Sequence, residues 1–256
     1  MRSSRAILVL LGLLAASPLS AQTIDYEFVN PDADQIHDGG ERSLPARWEV
    51  QPSVSVPAGA AVYGPFRVLD GQRAALVDVT NGSSPAQFAA MLRDHPGIAE
   101  IEMVDCPGTE DDLANLRLGR MIRERGIAMH VPNGGSVRSG GVELFLAGAR
   151  RYADPGAEFA VHSWQDNTGL EPDDYSKNAP ENRRYLEYYQ TMGMSPIEAE
   201  AFYAMTNSVP FESAKWFGTG VMGLWVNLDR APAGNAAIQA QTSLTLSLAS
   251  SNGARL

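Results

Sequence analysis

From residue 73 to residue 161 the chain alternates apolar, β-branched stretches with amphipathic ones, and a turn signal marks each change. Residues 73–80 (RAALVDVT) read as a strand. Ser84-Pro85-Ala86-Gln87 then starts a helix with Ser as N-cap and Pro in the first turn, and His95-Pro96-Gly97 ends it. The unit repeats with a strand over 98–104, a turn at Cys106-Pro107-Gly108, and a helix capped by Thr109 with Asp112 at its third position. That helix carries Leu118, Met121 and Ile122 on one face and stops at Gly126. A strand over 127–131, a loop over 132–136 and a helix over 139–149 follow. Short strands at 150–153 and 158–161 then flank Asp154-Pro155-Gly156. Strands and helices alternating at this length predict crossovers and a mostly parallel sheet with helices packed around it. Ligands in such sheets sit beyond the carboxyl ends of the strands. Cys106, Gly108, Ser136, Ser139 and His162 all fall there.

The flanks read differently. Arg2 and Arg5, the apolar run 6–16 and the small residues ending at Ala21 have the order of a secretory signal over 1–21. The run is shorter than the roughly 20 apolar residues a membrane span needs. A periplasmic or secreted protein is expected, with an irregular arm at 22–60, one domain at 61–230 and an Ala/Ser/Asn-rich tail at 231–256 that holds an edge strand at 243–248. Within the domain, residues 164–180 form a polar, acidic insertion, a candidate mobile lid. Helices are expected at 181–192, from the capping signal Ser195-Pro196-Ile197-Glu198, and at 212–217, before a strand at 221–226. Loss of Arg2 and Arg5 with the signal takes the formal charge from −10 to −12. So acidic a chain repels phosphate backbones, and nucleic acid is excluded as a partner. Cys106 is the one cysteine, so no disulfide forms within the chain.

Ser139 stands at a strand-to-helix transition before Gly140-Gly141, where helix N–H groups and the dipole favour a developing negative charge. His162 ends a strand two β segments later. Both also have plain readings, as a helix N-cap and a strand-end histidine. Ser136 is a rival nucleophile set deeper in the glycine-rich loop, and Cys106 a thiol rival that needs a partner histidine. A Gly-x-Ser-x-Gly elbow is absent, since Val137 takes the first glycine's place. His37, His95, His130 and His162 show no i, i+4 pairing, so zinc is unsupported.

Residues 104–164 resemble the Clp protease proteolytic subunit and its exported relatives in the Clp/crotonase superfamily. The similarity lies in Asp105-Cys106-Pro107-Gly108, Gly119-Arg120-Met121-Ile122-Arg123, the approach to Ser139, the phrase from Phe145 to Arg151, Asp154-Pro155-Gly156-Ala157 and Val161-His162-Ser163. The resemblance implies repeated ββα units, Ser139 as nucleophile and His162 as base 23 residues on, and oxyanion donors at the Thr109 and Gly140 N–H groups. The family turn reads Pro-Gly-Gly, where this chain has Pro107-Gly108-Thr109. The family's third catalytic residue is Asp. The matching stretch 206–214 has none, so Asn207 is its substitute, with Asp166, Asp173 and Asp174 as alternative acids. A lysine base, as in the signal peptide peptidase branch, would have to be Lys177 in the insertion or Lys215 in the expected late helix. The implied function is an ATP-independent serine hydrolase acting on a peptide or small acyl substrate, with no cofactor, no ATPase ring, and self-association as a trimer or ring. A non-catalytic assembly protein of the same fold and an acyl-thioester lyase or hydratase are the alternatives.

Overall fold

The computed structural model describes residues 55–166 and 168–230; the signal segment, most of the arm and the tail with its edge strand lie outside the described residues. Two sheets stand where one was expected. The first has the order β1 (Ala61–Tyr63), β2 (Phe66–Val68), β3 (Arg73–Leu76), β4 (Glu100–Met103), β6 (Ala128–Val131), β8 (Arg151–Ala153). Its β3, β4, β6 and β8 run parallel, and β1 and β2 close one edge antiparallel. The second has the order β10 (Lys215–Gly218), β9 (Glu158–Val161), β7 (Ser136–Arg138), β5 (Asp105–Cys106), parallel except for β10.

The chain moves between the sheets inside each repeat. Strand β4 ends at Met103, and after the single residue Val104 strand β5 begins in the other sheet, leading to helix α2 (Asp112–Glu124). Strands β6 and β7 lead likewise to α3 (Gly140–Ala147). Strands β8 and β9 make the third pair. The earlier β3 leads through a single bridge, Thr80 to Thr109, to α1 (Ser84–Asp94). These are repeated ββα units, as expected. The sequence hid the sheet change because one residue separates β4 from β5, and because β7 sits in what reads as a glycine-rich loop.

The remaining helices are α4 (Pro180–Thr191), α5 (Pro196–Thr206) and α6 (Thr219–Trp225). Helix α5 carries the anticipated capping box. Ser195 Oγ accepts from Glu198 N–H at 3.3 Å, and Glu198 Oε2 accepts from Ser195 N–H at 2.7 Å. The last two elements are exchanged relative to expectation. Residues 215–218 are a strand because β9 offers them a free edge, with Lys215 opposite Val161. Residues 219–225 are a helix because Met222 and Trp225 pack inward, Trp225 edge-on to Phe202 at 5.5 Å. Tertiary pairing overrides the local preference. Thr109 is likewise not a helix cap. Asp111 caps α2, its carboxylate accepting from Ala114 N–H at 2.9 Å.

The core lies between the sheets and the helices. All eight residues of α3 are buried, as an almost wholly apolar helix must be. Phe159 of β9 lies between Phe145 and Phe217, at ring distances of 5.1 and 5.8 Å. Helices α2 and α4 meet closely at Gly119, where a β-carbon would stand 2.0 Å from the buried Tyr188 hydroxyl. Gly119→Ala is therefore expected to lower the unfolding free energy by about 1–3 kcal/mol, read as a shifted urea midpoint with unchanged slope.

Candidate active site

The second sheet delivers the site. Its three parallel strands end side by side, β5 at the 107–109 turn, β7 at Ser139 and β9 at His162. Ser139 N–H donates to the Ala160 carbonyl at 2.9 Å, carrying the β7–β9 register one residue past the strand. Ser139, Gly140, His162 and Asn207 all line one cavity of about 30 Å³, together with Asp112, Glu143, Val161, Trp164, Tyr185, Tyr189 and Thr206.

Ser139 has φ 47° and ψ −128°, and it is the one non-glycine residue with positive φ among the described residues. A conformation of this kind costs on the order of 1–3 kcal/mol and is typical of active sites. Strand, strained serine and helix follow one another as in a nucleophile elbow, although Val137 replaces the first glycine. The serine side chain makes no cap to α3, so the plain N-cap reading fails. Gly108, at φ 129°, lets the neighbouring loop approach, since a β-carbon there would lie 2.9 Å from Ser139 Cβ.

Of the two backbone N–H groups expected to receive an oxyanion, that of Gly140 belongs to a residue of the cavity lining and that of Thr109 does not. Gly140 opens α3, where the first N–H groups have no helical partner. Thr109 forms a parallel bridge in which Thr80 N–H donates to the Gly108 carbonyl at 3.0 Å and Glu110 N–H to the Thr80 carbonyl at 2.9 Å. That pattern turns Thr109's own N–H away from Thr80. Asn115, buried in α2, ties the two donors together. It accepts from Thr80 Oγ1 at 2.8 Å and donates to the Gly140 carbonyl at 2.7 Å. Sequence reasoning missed it, because a polar residue on an amphipathic helix carries no signal of its own.

His162 Nδ1 donates to the Ser163 carbonyl at 2.8 Å, which fixes the proton on Nδ1 and leaves Nε2 to act as a base. Burial lowers the imidazole pKa, against an opposing pull from the Ser163 carbonyl, Asp112 and Glu171. Phe211 packs edge-on to the ring at 5.1 Å. Asn207 does not hold that ring. Its amide donates to the Tyr203 carbonyl at 2.7 Å and to Thr206 Oγ1 at 3.2 Å, because Asn207 terminates α5. It contributes through the backbone instead: Ser163 Oγ donates to the Val209 and Asn207 carbonyls at 2.9 and 3.3 Å. The alternative acids are also elsewhere. Asp166 accepts from Tyr175 and Thr168, bonds that hold its carboxyl well below the usual range. Asp173 and Asp174 lie in a short 3-10 turn, Pro172–Asp174, and Asp174 caps Glu171 N–H at 2.9 Å. Nor is the insertion loose at its ends, for Trp164 Nε1 donates to Tyr203 Oη at 2.7 Å and Asn182 donates to the Pro172 and Ser176 carbonyls.

Two carboxyls of the cavity were not read from the sequence as site residues. Asp112 is in the first turn of α2, and its pKa is raised by burial. Glu143 is 8 % exposed, one turn past Ser139 on α3, and burial pushes its pKa up to about 7. Tyr189 Oη donates to Glu143 Oε1 at 2.8 Å. A lone glutamate in the apolar run Gly140–Ala147 was the available signal.

The rivals are accounted for. Ser136 Oγ accepts from buried Arg138 at 2.8 Å within β7, and Arg138 pairs with Asp105 at 2.7 Å. The Cys106 thiol is buried and its pKa raised by that burial, which leaves it inert. Lys177 is exposed. Lys215 is not in a helix but opens β10 opposite Val161, where burial lowers its pKa. Far along the first sheet, Glu100, Glu102 and His130 bring three potential metal-ligating atoms within 4.8 Å, a grouping from two strands that no sequence spacing reveals. Arg73 already binds Glu102 at 2.6 Å and Asp154 meets His130 Nε2 at 3.2 Å, so the cluster reads as an ion-pair network.

No known protein family and no curated protein matches the sequence. Among solved structures the chain is similar to the 1510-N membrane-bound stomatin-specific protease. A lysine-to-alanine mutant in complex with a substrate peptide is 14% identical with a TM-score of 0.42, covering 62% of this chain and 74% of that chain. A serine-to-alanine mutant is 14% identical with a TM-score of 0.41, over 64% and 82%. A likeness this distant assigns neither family nor activity.

The strain at position 139 has a measurable consequence. Glycine relieves positive φ whereas alanine does not, so Ser139→Gly is expected to be about 1 kcal/mol more stable than Ser139→Ala, compared by urea unfolding. Equal stabilities would show that the backbone relaxes at no cost.

Proposed function

We propose that the chain is an exported serine hydrolase acting on peptides, with Ser139 as nucleophile and His162 as general base. The observation that carries this reading is the strained backbone of Ser139 between β7 and α3. In acylation Ser139 Oγ attacks the scissile carbonyl while His162 Nε2 takes its proton. The Thr109 and Gly140 N–H groups receive the oxyanion. Collapse of the tetrahedral adduct breaks the C–N bond, and the imidazolium returns the proton to the leaving amine. Water, deprotonated by the same ring, then frees the acid. The Ser163 carbonyl supplies the tautomer control that an aspartate gives in the familiar triad. It brings no full negative charge, and only the more distant Asp112 and Glu171 favour the imidazolium. Turnover is accordingly slow.

Export rests on the basic, apolar and small-residue order of residues 1–21. An exported enzyme meets no ATP-driven partner ring, and the trimer or ring belongs to the resemblance to the Clp/crotonase superfamily. A second reading, a lyase or hydratase on the same frame, draws support from Glu143, whose pKa of about 7 suits proton transfer.

A fluorophosphonate probe separates the two. Labelling of Ser139 is expected, lost in Ser139→Ala and slowed by about 10²–10⁴-fold in His162→Ala. Because burial lowers the His162 pKa, the basic form persists to lower pH than for a free histidine. The labelling rate should therefore rise through an inflection below the ordinary value near 6.5. Absence of labelling at Ser139 would refute the hydrolase.

A further inference from the structure

The cavity beside Ser139 is acidic on the inside and aromatic on its walls, and the hydrolytic step uses neither property. Asp112 enters from α2, Glu143 from α3, and Tyr185 and Tyr189 from α4. The charges do not balance. Arg184 acts on Asp112, its guanidinium lying 5.6 and 5.7 Å from the Trp164 and Tyr185 ring centroids. No cation acts on Glu143 among the described residues, and Asp112 disfavours its ionisation further. The Tyr185 hydroxyl, in a residue 4 % exposed, faces Asp112 but has no hydrogen-bond partner of normal geometry. A buried hydroxyl left in that state costs on the order of 1–3 kcal/mol.

We propose that this cavity is a subsite for a primary ammonium group, such as the side chain of a lysine on the acyl side of the scissile bond, held by Asp112, Glu143 and the Tyr185 hydroxyl. The proposal rests on the hydrolase reading of Ser139 and adds its substrate class. An ammonium donates three hydrogen bonds, and these three groups supply oxygens to receive them. It also supplies the missing cation, and the rings of Trp164, Tyr185 and Tyr189 favour a cation beside them. Size selects within the basic class. At about 30 Å³ the cavity holds roughly two water-sized groups, which suits a compact ammonium head better than the larger guanidinium.

The groups facing Glu143 set the pH dependence. Asp112 and the Tyr185, Tyr188 and Tyr189 hydroxyls interact with it, and Arg184 and His162 act on Asp112. Glu143 is neutral below about 7 and charged above it, so preference for a cation grows as pH rises through that value. The His162 inflection lies lower, which separates the two effects.

The test compares kcat/KM for thiobenzyl esters of N-blocked lysine, arginine and leucine, alongside fluorophosphonate labelling of Ser139. Lysine is expected to exceed both others at least tenfold at pH 8, with the lysine-to-leucine ratio falling severalfold at pH 6. Glu143→Gln and Asp112→Asn should each bring that ratio below threefold. A labelled Ser139 with leucine or arginine turned over as well as lysine would overturn the ammonium subsite and leave the hydrolase standing. No labelling at Ser139 would overturn both.

Discussion

One hydrogen bond, from Ser139 N–H to the Ala160 carbonyl at 2.9 Å, fixes where everything else in the site must be. It extends the parallel ladder of β7 and β9 one residue beyond β7, so the serine leaves the sheet beside the strand that ends in His162. A one-residue slip of that register would turn the strand's side chains to opposite faces. The strands are short, three and four residues, and their register depends on packing around them. The Phe145, Phe159 and Phe217 stack and the Asp105–Arg138 pair across β5 and β7 supply it. The strain at Ser139 is held by the same contacts, since residues in such conformations persist only where their surroundings over-determine them.

The histidine is placed by a longer chain of contacts. Its Nδ1 proton goes to the Ser163 carbonyl, and Ser163 is pinned by its own N–H and hydroxyl to the Val209 carbonyl. The segment after α5 thus controls the ring through this backbone link and through Phe211, which packs edge-on to it. Burial works on both titratable partners in the site, lowering the pKa of the histidine and raising that of Glu143. Desolvation disfavours charge of either sign, so burial pushes both groups toward their neutral forms.

Much of this was legible in the sequence. The turn signals and alternating periodicity gave the parallel α/β frame, and the Ser139-Gly140-Gly141 phrase marked the strand-to-helix corner. What stayed hidden follows from distance along the chain. The sheet change after Met103 turns on one residue, and no window of periodicity resolves that. Asn207 was named from its place in an aligned stretch, yet a residue ending a helix spends its amide on the helix carbonyls. Asp112 looked like a capping residue because its cavity neighbours come from α3 and α4, far away in sequence. The exchange of the last strand and helix shows an unpaired edge at β9 outweighing the local preference of 215–225.

Helix α3 is only eight residues long, and every one of them is buried. Yet its N-cap is Ser139, the proposed nucleophile, its first residue is Gly140, the proposed oxyanion donor, and its fourth is the buried Glu143 of the same cavity. Enzymes that diversify easily keep chemistry on a rigid frame and selectivity on surface loops that change freely. Here both ride on one buried turn. A mutation that reshapes what the cavity accepts also repacks the segment that aims the hydroxyl, so a lineage built on this arrangement has little freedom to acquire new substrates gradually. Changed selectivity would have to arise outside α3, for instance on α4, where the half-buried Arg184 lies over the Trp164 ring.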